Sequence, residues 1–182
     1  MRLVIIFFLF FSISINAQEK DDILIYDNFV ESYYNKKNEQ PILVYNKING
    51  RVVDTLYNID DKYAWYKLAI SDSDSGWLKI KNIQRLPSEY KNYGYENHWV
   101  KSSDFLINVD VYNPNKPVYL FELPSIKSNR IHKIDEHQSV NVTEIDGLWA
   151  KVKFTIDNKI IEGWLSFKNQ CGLPWTSCPK YD

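Results

Sequence analysis

One string of residues occurs twice in this chain. Trp77-Leu-Lys-Ile-Lys-Asn-Ile-Gln-Arg-Leu-Pro87 is answered by Trp164-Leu-Ser-Phe-Lys-Asn-Gln-Cys-Gly-Leu-Pro174. The shared Trp, Leu, Lys, Asn, Leu and Pro keep one offset of 87 residues. Upstream the match continues with gaps. The segment from Pro41 to Tyr45 parallels that from Pro117 to Phe121, Trp65-Tyr-Lys-Leu68 parallels Trp149-Ala-Lys-Val152, and Gly76-Trp77 parallels Gly163-Trp164. A gapped duplication of this kind implies two copies of one small module of roughly 50–60 residues each. Duplicated small modules more often bind than catalyse, so the pattern points first to binding.

The first 17 residues read as a segment outside the fold. Arg2 is followed by an unbroken apolar run from Leu3 to Phe11, and the small Ala17 closes the segment. The run is too short to span a bilayer, which fits a cleaved secretory signal peptide and a secreted or periplasmic protein. No Cys follows Ala17 directly, so no lipid attachment is expected, and no later apolar stretch suggests a membrane helix. Without Arg2 the mature chain carries 21 basic and 23 acidic side chains. A charge so near zero offers no long-range attraction to nucleic acid or anionic lipid. An apolar content of 45% argues against wholesale disorder, and 13 Tyr and 6 Trp favour strands.

The mature chain divides into a lead, two copies and a connector. Residues 18–40 form the lead, where Ile23 to Tyr34 fits a short helix or an edge strand. Residues 41–116 hold the first copy and a Tyr- and Asn-rich connector from 88 onward. Residues 117–182 hold the second copy and a tail with both cysteines. The second copy shows short, evenly spaced strand signals. Ser139 to Ile145 and Leu148 to Phe154 alternate with period two around Asp146-Gly147, a tight-turn signal. The expected class is all-β, with each copy a small, strongly bent barrel that leaves few free edges.

The second copy resembles the bacterial SH3 domains of the SH3b class. Asp146-Gly-Leu-Trp149-Ala-Lys-Val152 and Gly163-Trp-Leu165 match that family's G-x-W-x-K-V and G-W-V elements, and Pro124-Ser125 matches its Pro-Ser loop. The resemblance covers residues 117–169. The first copy departs from it. It lacks the Pro-Ser loop and has Asp61-Lys-Tyr-Ala64 where a Gly turn is due, while Trp65-Tyr-Lys-Leu68 and Gly76-Trp77 remain. The resemblance implies two small SH3-like β-barrels in tandem. It also implies a cell-envelope setting, where such modules bind peptidoglycan or its peptide stems.

Candidate chemistry is sparse. Cys171 and Cys178 bracket six residues, and in an exported chain that spacing suggests a structural disulfide. His98, His132 and His137 form no HExxH or HxH pair, so neither metal nor cofactor is expected. Ser71-Asp-Ser-Asp-Ser-Gly76 opens like a calcium loop but has Trp77 at the glycine position and no Glu at the twelfth, so it reads as a hairpin tip. Asp60-Asp61 are neighbours that point apart on a strand. No nucleophile-elbow or phosphate-loop motif occurs.

Aromatics remain. Tyr45, Trp65, Phe121 and Trp149 fall at matched positions of the two copies and are the candidate ligand-binding residues. Trp77 and Trp164 are expected to be buried, and Trp175 to cap a barrel. The sequence thus points to a non-catalytic protein that binds a cell-wall peptide, a glycan or an envelope protein. The rival readings are a secreted inhibitor or immunity-type protein, and a hydrolase that would need a Ser or Cys beside a His in space.

Overall fold

The computed structural model describes residues 28–57, 65–86, 92–109, 111 and 115–173. The expected signal peptide, Asp60, Asp61, Trp175 and Cys178 lie outside them. Among the described residues the chain is all-β, with three short 3-10 turns and no α-helix. In order, the strands are β1 (Val30–Tyr34), β2 (Ile42–Tyr45), β3 (Val52–Leu56), β4 (Trp65–Asp74), β5 (Trp77–Leu86), β6 (Asn92–Gly94) and β7 (Trp99–Lys101). They continue as β8 (Phe105–Val109), β9 (Val118–Phe121), β10 (Arg130–Ile134), β11 (Ser139–Asp146), β12 (Trp149–Ile156), β13 (Lys159–Leu165) and β14 (Gln170–Cys171).

All of them join one antiparallel sheet in the order β10-β9-β13-β12-β11-β8-β1-β4-β5-β7-β2-β3. β6 adds to β5 and β14 to β8. From the middle outward the order reads the same in both directions. β8, β11, β12, β13, β9, β10 on one side stand where β1, β4, β5, β7, β2, β3 stand on the other. The register repeats as well. Ile70 faces Ile80 and Asp72 faces Lys79, which leaves Ser71 as a bulge. Val142 faces Val152 and Glu144 faces Lys151, which leaves Thr143 as a bulge. Both bulged hydroxyls donate to the carbonyl across the strand pair, Ser71 Oγ to Lys79 O at 3.3 Å and Thr143 Oγ1 to Lys151 O at 3.2 Å. Such bulges re-aim side chains, so their recurrence fixes which faces correspond.

This register corrects the one taken from the repeated string. The structure matches Trp77 with Trp149, each opening the strand after a tight turn and facing Asp74 and Asp146 respectively. It matches Trp99, not Trp77, with Trp164. Trp99 faces Tyr45 and Lys79, as Trp164 faces Phe121 and Lys151. Unequal connections are the physical reason. β12 and β13 are joined by Asp157-Asn158, both at positive φ of 49° and 61°, as a primed two-residue hairpin requires. β5 and β7 are separated by a longer excursion that adds β6 to the sheet.

The lead segment differs from expectation too. Val30–Tyr34 is neither helix nor edge but a central strand between β8 and β4. The apolar residues of β1 and β8 that turn inward join one buried cluster. It runs from Val30 and Tyr34 through Leu68, Ile80, Phe105 and Ile107 to Val142, Val152 and Leu165. The core is therefore continuous across the middle of the sheet. The expected hairpin tip at Ser71–Gly76 is shorter than the Ser/Asp run. β4 continues to Asp74, and only Ser75 and Gly76, at φ 47° and 84°, make the turn.

Ser73 and Ile145, matched positions on β4 and β11, meet directly. Ile145 N–H donates to Ser73 Oγ at 2.7 Å, and the hydroxyl donates back to Ile145 O at 3.4 Å. Removing the hydroxyl leaves a partly buried amide without its acceptor. Ser73→Ala is expected to cost about 1 kcal/mol, a drop of roughly 2–4 °C in melting temperature. A thermal melt identical to the parent would show that water replaces the bond at no cost.

Candidate functional site

The conspicuous surface feature is a pair of aromatic clusters on the face of the sheet away from the core. In one, the last residue of β2 meets the first of β5. Tyr45 and Trp77 pack edge-to-face, centroids 4.9 Å apart at 88°. In the other, the last residue of β9 meets the first of β12. Phe121 and Trp149 pack edge-to-face at 5.5 Å and 85°. Alternation explains the placement. Leu78 and Ala150, the next residues along, turn into the core, so the indoles before them turn out. One member of each pair is buried, Trp77 at 8% and Phe121 at 8% exposure, while Tyr45 and Trp149 are half-buried and present ring surface to solvent.

A lysine and a second indole complete each cluster. Lys79 Nζ lies 5.9 Å from the Trp99 ring centre, and Lys151 Nζ lies 6.0 Å from that of Trp164. These distances lie at the outer limit of cation–π attraction. Trp164 is 7% exposed yet stands outside the main core cluster, because Leu165 beside it takes the inward position. Trp77 and Trp164 are thus buried, as expected, but on the outer face of the sheet rather than in the main core.

The two lysines differ electrostatically. Lys151 pairs with Glu162 at 3.2 Å and Glu144 at 3.4 Å. The hydrogen bond to Glu162 raises its pKa above the ordinary lysine value, more than the opposing loss of hydration lowers it. Lys79 has no such ion pair among the described residues. Asp72 faces it across the strand pair, but the Asp72 carboxylate accepts from the Ser73 N–H at 2.8 Å. Two residues before Trp99, where Glu162 precedes Trp164, stands Asn97.

Of the residues singled out from sequence, Phe121 and Trp149 come together and Tyr45 takes the equivalent place. Trp65 does not join them. Its ring packs edge-to-face on Tyr33 at 5.5 Å, beneath Lys36 Nζ at 4.7 Å, in a small separate cluster with Leu86 and Leu173. Trp77, Trp99 and the two lysines were missed as site residues. The signal for Trp77 and the lysines is Asp-x-x-Trp-x-Lys followed by Ile or Val, present at Asp74–Ile80 and again at Asp146–Val152.

The opposite search, for catalytic groups, yields scattered side chains. Among the described residues no three His, Cys, Asp or Glu gather as a metal would require. His98 Nδ1 sits 3.1 Å from Glu96 O, and His132 lies edge-on to Phe154 at 5.7 Å. Asn108 Nδ2 bonds His137 Nε2 at 2.9 Å, while Ser139 Oγ donates to Asn108 Oδ1 at 3.4 Å. An amide thus stands between Ser139 and His137, so that serine does not hydrogen-bond the imidazole. Cys171 is 1% exposed on β14, and its expected disulfide partner lies outside the described residues. Tyr95 donates to Asp54, and burial pushes its hydroxyl up to about 12. No helix among the described residues is long and apolar enough to cross a membrane.

No protein-family model and no curated protein matches the sequence. Two solved structures share a distant likeness: NlpC2 from Trichomonas vaginalis, with 12% identity and a TM-score of 0.30, and NlpC1 from the same organism, with 12% identity and a TM-score of 0.32. The alignments cover 81% of this chain but 49% and 47% of those proteins, so the chain spans about half their length.

Proposed function

We propose that the chain is a non-catalytic envelope-binding protein, exported by its N-terminal segment, whose two halves are SH3b-like modules that hold a wall peptide or another wall component. The observation that carries this reading is the recurrence of one outward-facing cluster, an edge-to-face aromatic pair with a lysine ammonium within about 6 Å of a second indole, at matched positions of both halves. Core packing needs no such repetition on the outer face. An exposed ring with an apolar body and a polar neighbour suits peptide and sugar surfaces.

Capture on purified wall sacculi tests it. The double variant Tyr45→Ala/Trp149→Ala removes the half-buried member of each pair and is expected to lose at least tenfold in capture, with a melting temperature within a few degrees of the parent. Undiminished capture by a folded double variant refutes the aromatic site. The export part is checked by the intact mass of the exported protein, expected to begin at Gln18.

One observation favours a protein partner instead. Leu123 and Ile126, in the connection between β9 and β10, are 60% and 74% exposed. If the protein is an inhibitor or immunity-type factor, Ile126→Ser rather than the aromatic variant abolishes its binding.

A further inference from the structure

We infer that the two aromatic clusters differ in ligand chemistry, and that the Tyr45–Trp77–Trp99 cluster alone takes a carboxylate, with Lys79 as its anchor. This rests on the reading of these clusters as binding sites. The two lysines occupy the same register position, face matched indoles and lie opposite the same bulge of the neighbouring strand. Only their counter-charges differ. Lys151 is held between Glu144 and Glu162, so its charge is already balanced within the protein. Glu162 is replaced by Asn97 in the other half, and Glu144 by the shorter Asp72, whose carboxylate bonds its own chain.

The Lys79 ammonium, 5.9 Å from the Trp99 ring centre, is therefore left without a carboxylate partner among the described residues. The side chain is half-buried, which reduces the rotamer freedom to be lost when an anion arrives. An anion next to the ammonium gains a charge-assisted hydrogen bond, while a neighbouring apolar side chain covers the solvent-facing ring surface of Tyr45. The fitting ligand is a peptide end or side chain that carries a carboxylate within one residue of an apolar group. The Phe121–Trp149–Trp164 cluster lacks the free charge, so it takes an uncharged stretch.

The probe is N-acetyl-alanyl-alanine with a free C-terminal carboxylate, compared with the same peptide as its C-terminal amide. Both are titrated into the full mature chain, and the six indole N–H resonances are followed by NMR, assigned through single Trp→Phe variants. The acid is expected to bind at least tenfold more tightly than the amide and to shift the Trp77 and Trp99 signals. Lys79→Met is expected to abolish that preference, and Lys151→Met to leave it intact. Equal binding of acid and amide overturns the inference and leaves the aromatic sites standing. A preference that survives Lys79→Met but is lost in Lys151→Met overturns the assignment to this half. No response to either peptide at millimolar concentration also overturns it, and capture on sacculi then shows separately whether the sites bind the wall at all.

Discussion

Phe105→Ala is expected to lower the stability of the whole chain by about 3–5 kcal/mol, the range for emptying a large aromatic core site. Phe105 is fully buried and packs edge-to-face on Tyr34, centroids 6.2 Å apart. It opens β8, which pairs with β11 along one edge and with β1 and β14 along the other. The cavity therefore weakens both halves together. Chemical denaturation followed by tryptophan fluorescence and by far-ultraviolet dichroism should give one coincident transition, shifted as a unit. Two separable transitions, only one of them moved, would show that the halves fold independently despite their common core.

Glu31→Ala is expected to cost a similar amount, about 3 kcal/mol or more, because it removes a carboxylate 2.7 Å from a buried ammonium. Lys67 is 4% exposed and its ammonium lies 2.7 Å from Glu31 Oε1, on the face of β1 and β4 opposite the main core. Removing the carboxylate leaves the ammonium in a site that water barely reaches. Adding Lys67→Met should recover most of the loss, since an apolar side chain of similar length fills the same space without a charge to solvate. Urea melts of the single and double variants decide this. A double variant less stable than Glu31→Ala alone would mean that the lysine stabilises the fold by something other than the ion pair.

The sequence was legible where one face of a strand is wet. β11 and β12 alternate cleanly, Asp146-Gly147 marks their turn, and the structure places both strands within a residue or two of the expected ends. It was opaque where a strand is covered on both faces. In β1, Val30, Ser32 and Tyr34 turn to one side and Glu31 and Tyr33 to the other, and four of the five are buried. The period of two is then lost, and the apolar positions fit a helix as well. β8 has the same difficulty, with Leu106 and Asn108 turned away from Phe105, Ile107 and Val109.

The binding residues were half legible for a different reason. Sequence identity favoured the longest shared string, but the sheet rewards matching neighbours: one copy of the string is the whole of β5, whereas the other runs from the end of β13 through the turn Phe167–Asn169 into β14. Asp, Trp and Lys around each turn were the better guide. Each has a cross-strand partner to satisfy, and none could move without breaking the bulge that aims it.

β8 is at once the strand that follows the 3-10 turn Ser102–Asp104 of the first half and the strand that β11 of the second half needs as its neighbour. β14 follows the turn Phe167–Asn169 in the same way and pairs with β8 as β8 pairs with β1. The units of this molecule therefore overlap by one strand, like links rather than beads. Any scissor cut that gives β8 to one half takes it from the other, so neither half can be excised with its full complement of hydrogen-bonded neighbours.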